Sequence, residues 1–175
     1  KASPEEATKL VQSVYLKPVK EKLIAKRIKE IKSHKVPAVV SCIPQNAKQF
    51  STIAEKAGCD IFVVQSTVAT IKHISTEYKA LDLQKFCSES RIPVILGNCV
   101  TYDVALELME AGAAGLLVGI GPGAACTTRG VLGIGIPQIT VTVDTAAARD
   151  YYFKRRGKYI PIITDGGMRI GGEIC

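Results

Sequence analysis

The sequence predicts an α/β fold built on a parallel sheet. Three observations carry this. Five short apolar runs alternate with segments of helical periodicity. The runs are continuous rather than alternating in polarity, which suits strands covered on both faces. Successive strand starts lie 23–44 residues apart, room enough for the crossover helices that parallel neighbours require. Two architectures satisfy these facts: a doubly wound open sheet, or part of a (β/α)8 barrel, which when complete needs about 250 residues.

The elements follow in order. Ser3-Pro4-Glu5-Glu6 reads as a capping box with proline in the first turn, and Leu10, Val11 and Val14 mark one helix face. A second helix follows Pro18, with Val19, Leu23, Ile28 and Ile31 as its stripe. Val36–Cys42 is the first strand-like run. Phe50, Ile53, Ala54 and Ala57 keep helical spacing until Gly58. Asp60–Gln65 is strand-like, and Leu83–Cys87 forms a helix capped by Asp82. Ile92–Leu96 is a strand, and Thr101 caps a helix that runs to Gly112. Gly115–Gly119 is the fourth strand, about Thr140 to Arg156 a long helix, and Tyr159–Thr164 the fifth strand. Gly171–Cys175 looks like another helix start. With Lys1 in place of Met at the first position, the sequence reads as an internal segment of a longer chain, holding one domain over residues 1–175.

Composition narrows the function. The 175 residues are 47% hydrophobic and 22% charged, a globular balance, with no apolar run long enough to span a membrane and no leader-like start. The net charge of +7 raises the question of nucleic acid. Ten of the 23 Lys and Arg, against four acids, lie in residues 1–35, while the rest of the chain is nearly balanced. No aromatic residues interleave with that basic stretch to stack bases, so it reads as a solvated helix face, with neither nucleic acid nor membrane as partner. The six cysteines form no C-x-x-C pair, and only His34 and His73 stand by to help, which argues against structural zinc. Cys42, Cys59 and Cys99 lie in or beside apolar runs and read as small buried hydrophobes. Reduced thiols fit a cytoplasmic protein.

Polar and glycine-rich residues gather after the strands: Gln65-Ser66-Thr67, Gly97-Asn98-Cys99, Gly119 to Arg129, and Asp165-Gly166-Gly167. Strand C-terminal ends are where α/β folds build their sites, because the loops there converge. The stretch Gly119-Ile120-Gly121-Pro122-Gly123-Ala124-Ala125-Cys126-Thr127-Thr128-Arg129-Gly130 is the most informative. Its glycines allow close backbone approach and can turn several carbonyls or N–H groups toward one ion or phosphate. Cys126 sits among them, followed by two hydroxyls and a cation that favour the thiolate.

Gly121-Pro122-Gly123-x-x-Cys126-Thr127-Thr128-Arg129, with Gly97-Asn98-x-Val100-Thr101 before it and Pro137-Gln138 and Asp165-Gly166-Gly167-Met168-Arg169 after it, resembles the IMP dehydrogenase/GMP reductase family, most of all its IMP dehydrogenase-related branch. The likeness is clear from about residue 92 onward. It implies a partial (β/α)8 barrel with about five of the eight strands, a purine ribonucleotide substrate (IMP or GMP), and NAD or NADPH as cofactor. It implies that Cys126 attacks C2 of the purine, with Thr128 beside the attacking or leaving group. Asp165 would bind the ribose hydroxyls, Gly166 and Gly167 the phosphate, and Asn98 the base. Gln65 and Gly119 would face the cofactor. Carbonyls of Gly121, Gly123 and Cys126 would hold potassium, and the full-length protein would be a homotetramer.

Two positions depart from the family pattern. Gln65 stands where the family has an aspartate that contacts the nicotinamide ribose. Ala124 stands at the substrate-binding position of a phosphate-binding serine, removing a charge-assisted bond worth about 1.5–3 kcal/mol. These departures keep a second reading open: a nucleotide-binding relative that has lost catalysis. A third is another phosphate-binding barrel in which Cys126 is structural. The flap that supplies an acid or base, and the remaining strands, lie outside this sequence, so the segment alone is expected to be inactive.

Overall fold

A computed structural model describes residues 3–72, 74, 76 and 79–173. His73 and the terminal Lys1, Ile174 and Cys175, on which readings above rested, lie outside the described residues.

Helix α1 (Pro4–Tyr15) opens on the expected capping box: Ser3 Oγ accepts from the Glu6 N–H at 3.2 Å, and the Ser3 N–H donates to Glu6 Oε2 at 2.8 Å. Its apolar stripe is unburied, with Leu10 65% exposed. Helix α2 (Glu21–Ser33) buries Ile28 and half-buries Ile24 and Ile31, packing on α3 (Ala47–Ala57), while Val19 and Leu23 of the expected stripe remain exposed. Strand β1 (Val39–Cys42) leads through a 3₁₀ turn (Pro44–Asn46) into α3. Gly58, at φ +89°, ends α3 in the left-handed region. Then come β2 (Ile61–Gln65), α4 (Leu83–Glu89), β3 (Val94–Cys99), α5 (Tyr102–Glu110) and β4 (Gly115–Val118). Asp82 and Thr101 cap α4 and α5 by accepting from the Lys85 and Val104 N–H groups at 2.9 and 3.3 Å. The chain continues through α6 (Thr128–Leu132), α7 (Gln138–Arg156) and β5 (Ile162–Thr164). A 3₁₀ turn at Gly171–Glu173 occupies the place where another helix start is expected.

All neighbouring strands are parallel, in the order β1-β2-β3-β4-β5. That order settles the choice left open by periodicity. A doubly wound sheet reverses its strand order at a switch point, whereas a barrel adds each strand beside its predecessor. The sheet is therefore a five-strand arc of a (β/α)8 barrel. The core lies between this arc and its outer helices, where Phe62, Leu96, Leu108, Met109, Leu116, Val118, Val141 and Ile160 are fully buried. Each such side chain contributes about 1.5–3 kcal/mol relative to exposure. Strands covered on both faces are found only at the centre of the arc: β1 and β5 are half-buried or exposed along their length.

Candidate active site

Four adjacent strands each deliver one hydrogen-bonding residue to the C-terminal rim, three through side chains and Gly119 through its carbonyl. Gln65 ends β2, Asn98 lies near the end of β3, Gly119 follows β4, and Asp165 follows β5. They form one hydrogen-bonded chain. Asn98, only 6% exposed, donates through Nδ2 to Gly119 O and to Asp165 Oδ2, both at 2.8 Å. Its Oδ1 accepts from Gln65 Nε2 at 3.0 Å, and Gln65 Nε2 also approaches Asp165 Oδ2 at 3.5 Å.

Gly119 is required here. At φ +135°, a Cβ on it would stand 2.5 Å from Gln138 Oε1 and 2.6 Å from Asp165 O. Gln138, at the start of α7, reaches back to donate to Val118 O at 2.8 Å, so the helix is fastened to the end of β4. Gly166 and Gly167, both at positive φ, lie against Pro122 of the Cys126 loop, which brings the loops after β4 and β5 together.

Cys126 sits exposed on the loop after β4, directly before the two threonines that turn into α6. Its Sγ lies 3.3 Å from Thr128 Oγ1. Hydrogen bonds from the Thr128 hydroxyl and backbone N–H, together with the nearby Arg129 charge, hold the thiol below its ordinary range and outweigh a small desolvation effect. The other described cysteines behave differently. Burial pushes Cys87 up to about 11 and Cys99 up to about 12, and Cys59 is also raised.

A cleft of about 520 Å³ collects these groups. Gln65, Asn98, Gly119, Gly121, Gly123, Cys126, Thr128, Asp165 and Gly166 all line it. Ala124 is exposed on the loop and Gly167 packs on Pro122, and neither lines the cleft. Ser41, Cys42 and Ile43, at the end of β1, form part of its wall and were not anticipated. Cys42 is thus half-buried, packed against the core on one side and lining the mouth on the other, and desolvation pushes its thiol up to about 11. A second, largely apolar cavity of about 340 Å³ adjoins, sharing Ser66 and Thr67 with the first. No group of three His, Cys, Asp or Glu side chains suited to a metal ion occurs among the described residues. Nor is any helix among them long and apolar enough to cross a membrane.

Fold and site together define a partial barrel whose strand ends present an exposed cysteine, a carboxylate and a glycine-rich loop to one cleft. The sequence profile of the IMP dehydrogenase / GMP reductase domain matches residues 2–175, and the chain belongs to that family. An uncharacterised oxidoreductase of Mycobacterium tuberculosis is 35% identical over 98% of this chain and 46% of its own length. The inosine-5'-monophosphate dehydrogenase of Thermoplasma acidophilum is 40% identical over 69% of this chain and 22% of its own. The crystal structure of an IMP dehydrogenase/GMP reductase-like protein from Corynebacterium glutamicum superposes with a TM-score of 0.86 at 32% identity, covering 97% of this chain and 44% of that one. The chain thus spans about half the length of the Mycobacterium tuberculosis and Corynebacterium glutamicum relatives.

Proposed function

We propose that this chain is the catalytic segment of a cytoplasmic purine nucleotide oxidoreductase acting at C2 of IMP or GMP, a homotetramer when full length. The observation that carries the proposal is Cys126: an exposed thiol with lowered proton affinity, bonded to Thr128, in the same cleft as Asn98 and Asp165.

The thiolate of Cys126 adds to C2 of the purine. In the dehydrogenase direction, hydride leaves C2 of the adduct, and water at the Thr128 side then cleaves the C2–S bond, releasing XMP and restoring the thiol. In the reductase direction, the same addition expels ammonia from GMP, and hydride delivered to C2 then expels the thiolate to give IMP. Splitting the reaction at a covalent thioimidate replaces one difficult step with two easier ones. Asp165 accepts from the ribose hydroxyls, Asn98 meets the base, and the backbone at Gly166, which lines the cleft, receives the phosphate. Ala124, outside the cleft lining, adds no side-chain donor.

NAD or NADPH, when bound, would supply the hydride acceptor or donor that these steps need. The groups present fit it: Gly119 lines the cleft, and Ser66 and Thr67 connect it to the apolar second cavity. Potassium fits less well. Gly123 O already accepts from the Cys126 N–H at 3.1 Å and from Arg129 Nη2 at 3.4 Å, so a cation there would have to replace a guanidinium. No step is assigned to it.

The test is turnover of the full-length protein with IMP plus NAD or GMP plus NADPH, followed by nicotinamide absorbance. Cys126→Ala is expected to lower kcat by at least about a thousandfold while nucleotide binding persists. Full turnover in that variant would refute the thiol mechanism. The absent phosphate-binding side chain at Ala124 favours a second reading, a relative that binds nucleotide without turning it over. It predicts binding with no absorbance change in the wild type.

A further inference from the structure

We infer that Gln65 is a positioning residue for the nucleotide side of the cleft, its side-chain N–H groups fixing the orientation of Asn98 and Asp165 in this chain. The inference rests on the purine nucleotide reading above. It assigns Gln65 a role different from the cofactor contact that the family resemblance implies.

The argument is one of donors and acceptors. Gly119 O and the Asp165 carboxylate can only accept. Asn98 Nδ2 lies 2.8 Å from each, so its amide must turn its N–H groups to that side. Its Oδ1 then faces Gln65 and needs a donor, which Gln65 Nε2 provides at 3.0 Å. The same nitrogen is 3.5 Å from Asp165 Oδ2. Both amide orientations are therefore forced by two groups that have no proton to give.

A carboxylate at position 65 would set its oxygens against Asn98 Oδ1 and Asp165 Oδ2 with no proton between them. Asn98 could not relieve this by flipping, because it would lose both N–H bonds while almost fully buried. With Nε2 turned to Asn98 and Asp165, Gln65 keeps only Oε1 for anything on the other side.

The experiment uses full-length protein carrying Gln65→Glu, alone and combined with Asp165→Asn. Gln65→Glu is expected to weaken IMP binding, measured calorimetrically, by about tenfold or more, with the dinucleotide KM changed by less than about twofold. Its urea midpoint is expected to fall, and adding Asp165→Asn to recover part of the loss, because Asn at 165 offers Glu at 65 an N–H. The opposite split, with IMP binding unchanged and dinucleotide KM raised about tenfold, would overturn the inference and make Gln65 a cofactor contact. So would strictly additive stability losses. Should the wild type bind no purine nucleotide, the functional reading fails. The stability cycle still decides the placement of Gln65, recovery supporting it and additivity refuting it.

Discussion

Cys126 and Cys42 line one cleft with opposite chemistry. Thr128 and Arg129 favour the thiolate of Cys126, whereas desolvation at the end of β1 pushes Cys42 up to about 11. The thiolate is the reactive form, so a lowered proton affinity raises the reactive fraction at neutral pH. Iodoacetamide is therefore expected to label Cys126 first, with a pH midpoint below the ordinary 9.0. Thr128→Val removes the hydroxyl bond and is expected to move that midpoint upward and slow labelling at pH 7. Labelling that begins at Cys42, or a midpoint unmoved in the variant, would contradict this assignment. The cysteine's prominence was legible in the sequence, because glycines, hydroxyls and a cation surround it. Cys42 was not: an apolar run shows that a residue is in a strand, but only the strand's end point shows whether it meets the core or the mouth. The bonding of Gln65 to Asn98 spans 33 residues and leaves no local signature.

The elements were largely legible, and their boundaries moved for identifiable reasons. The third and fifth strands begin later than the apolar runs, at Val94 and Ile162, each directly after or close after a proline. Pro93 and Pro161 have no N–H for the ladder, though their carbonyls still accept from the Phe62 and Leu116 N–H groups at 3.0 Å. Helix α7 begins earlier than its alanine-rich stretch because Gln138 is drawn inward to Val118 O. Helix α6 has only five residues, with a glycine inside, too short for periodicity to show. The loop after β4 depends on small residues at defined points. A Cβ at Gly135 would collide with the Arg129 side chain, and one at Gly119 would strike a backbone carbonyl of the neighbouring loop. Gly119→Ala is therefore expected to lower stability by about 1–3 kcal/mol and displace the Asp165 loop. A urea midpoint within error of wild type would show that the rim tolerates the methyl group.

At the scale of the molecule, the strand order makes this an open arc. Edge strands β1 and β5 leave Val39 47% and Ile163 40% exposed, and the α1 stripe is uncovered. Unpaired edges and apolar faces favour association. Expressed alone, this segment is expected to be inactive and to self-associate as its concentration rises. Sedimentation showing a monomer at every concentration would indicate that its edges are better protected than the arc implies. The barrel reading needed the motifs, since periodicity fits two folds and only the pairing of β1 through β5 decides between them. The chain of contacts across the rim also has a temporal side. Synthesis delivers Gln65 first and Asp165 a hundred residues later. Until that carboxylate emerges and the last described strand docks, the Asn98 amide lacks one of its acceptors. This side of the mouth is thus completed only when the loop after β5 is made, and a nascent chain stalled before residue 165 carries a thiol without the anchor meant to sit across from it.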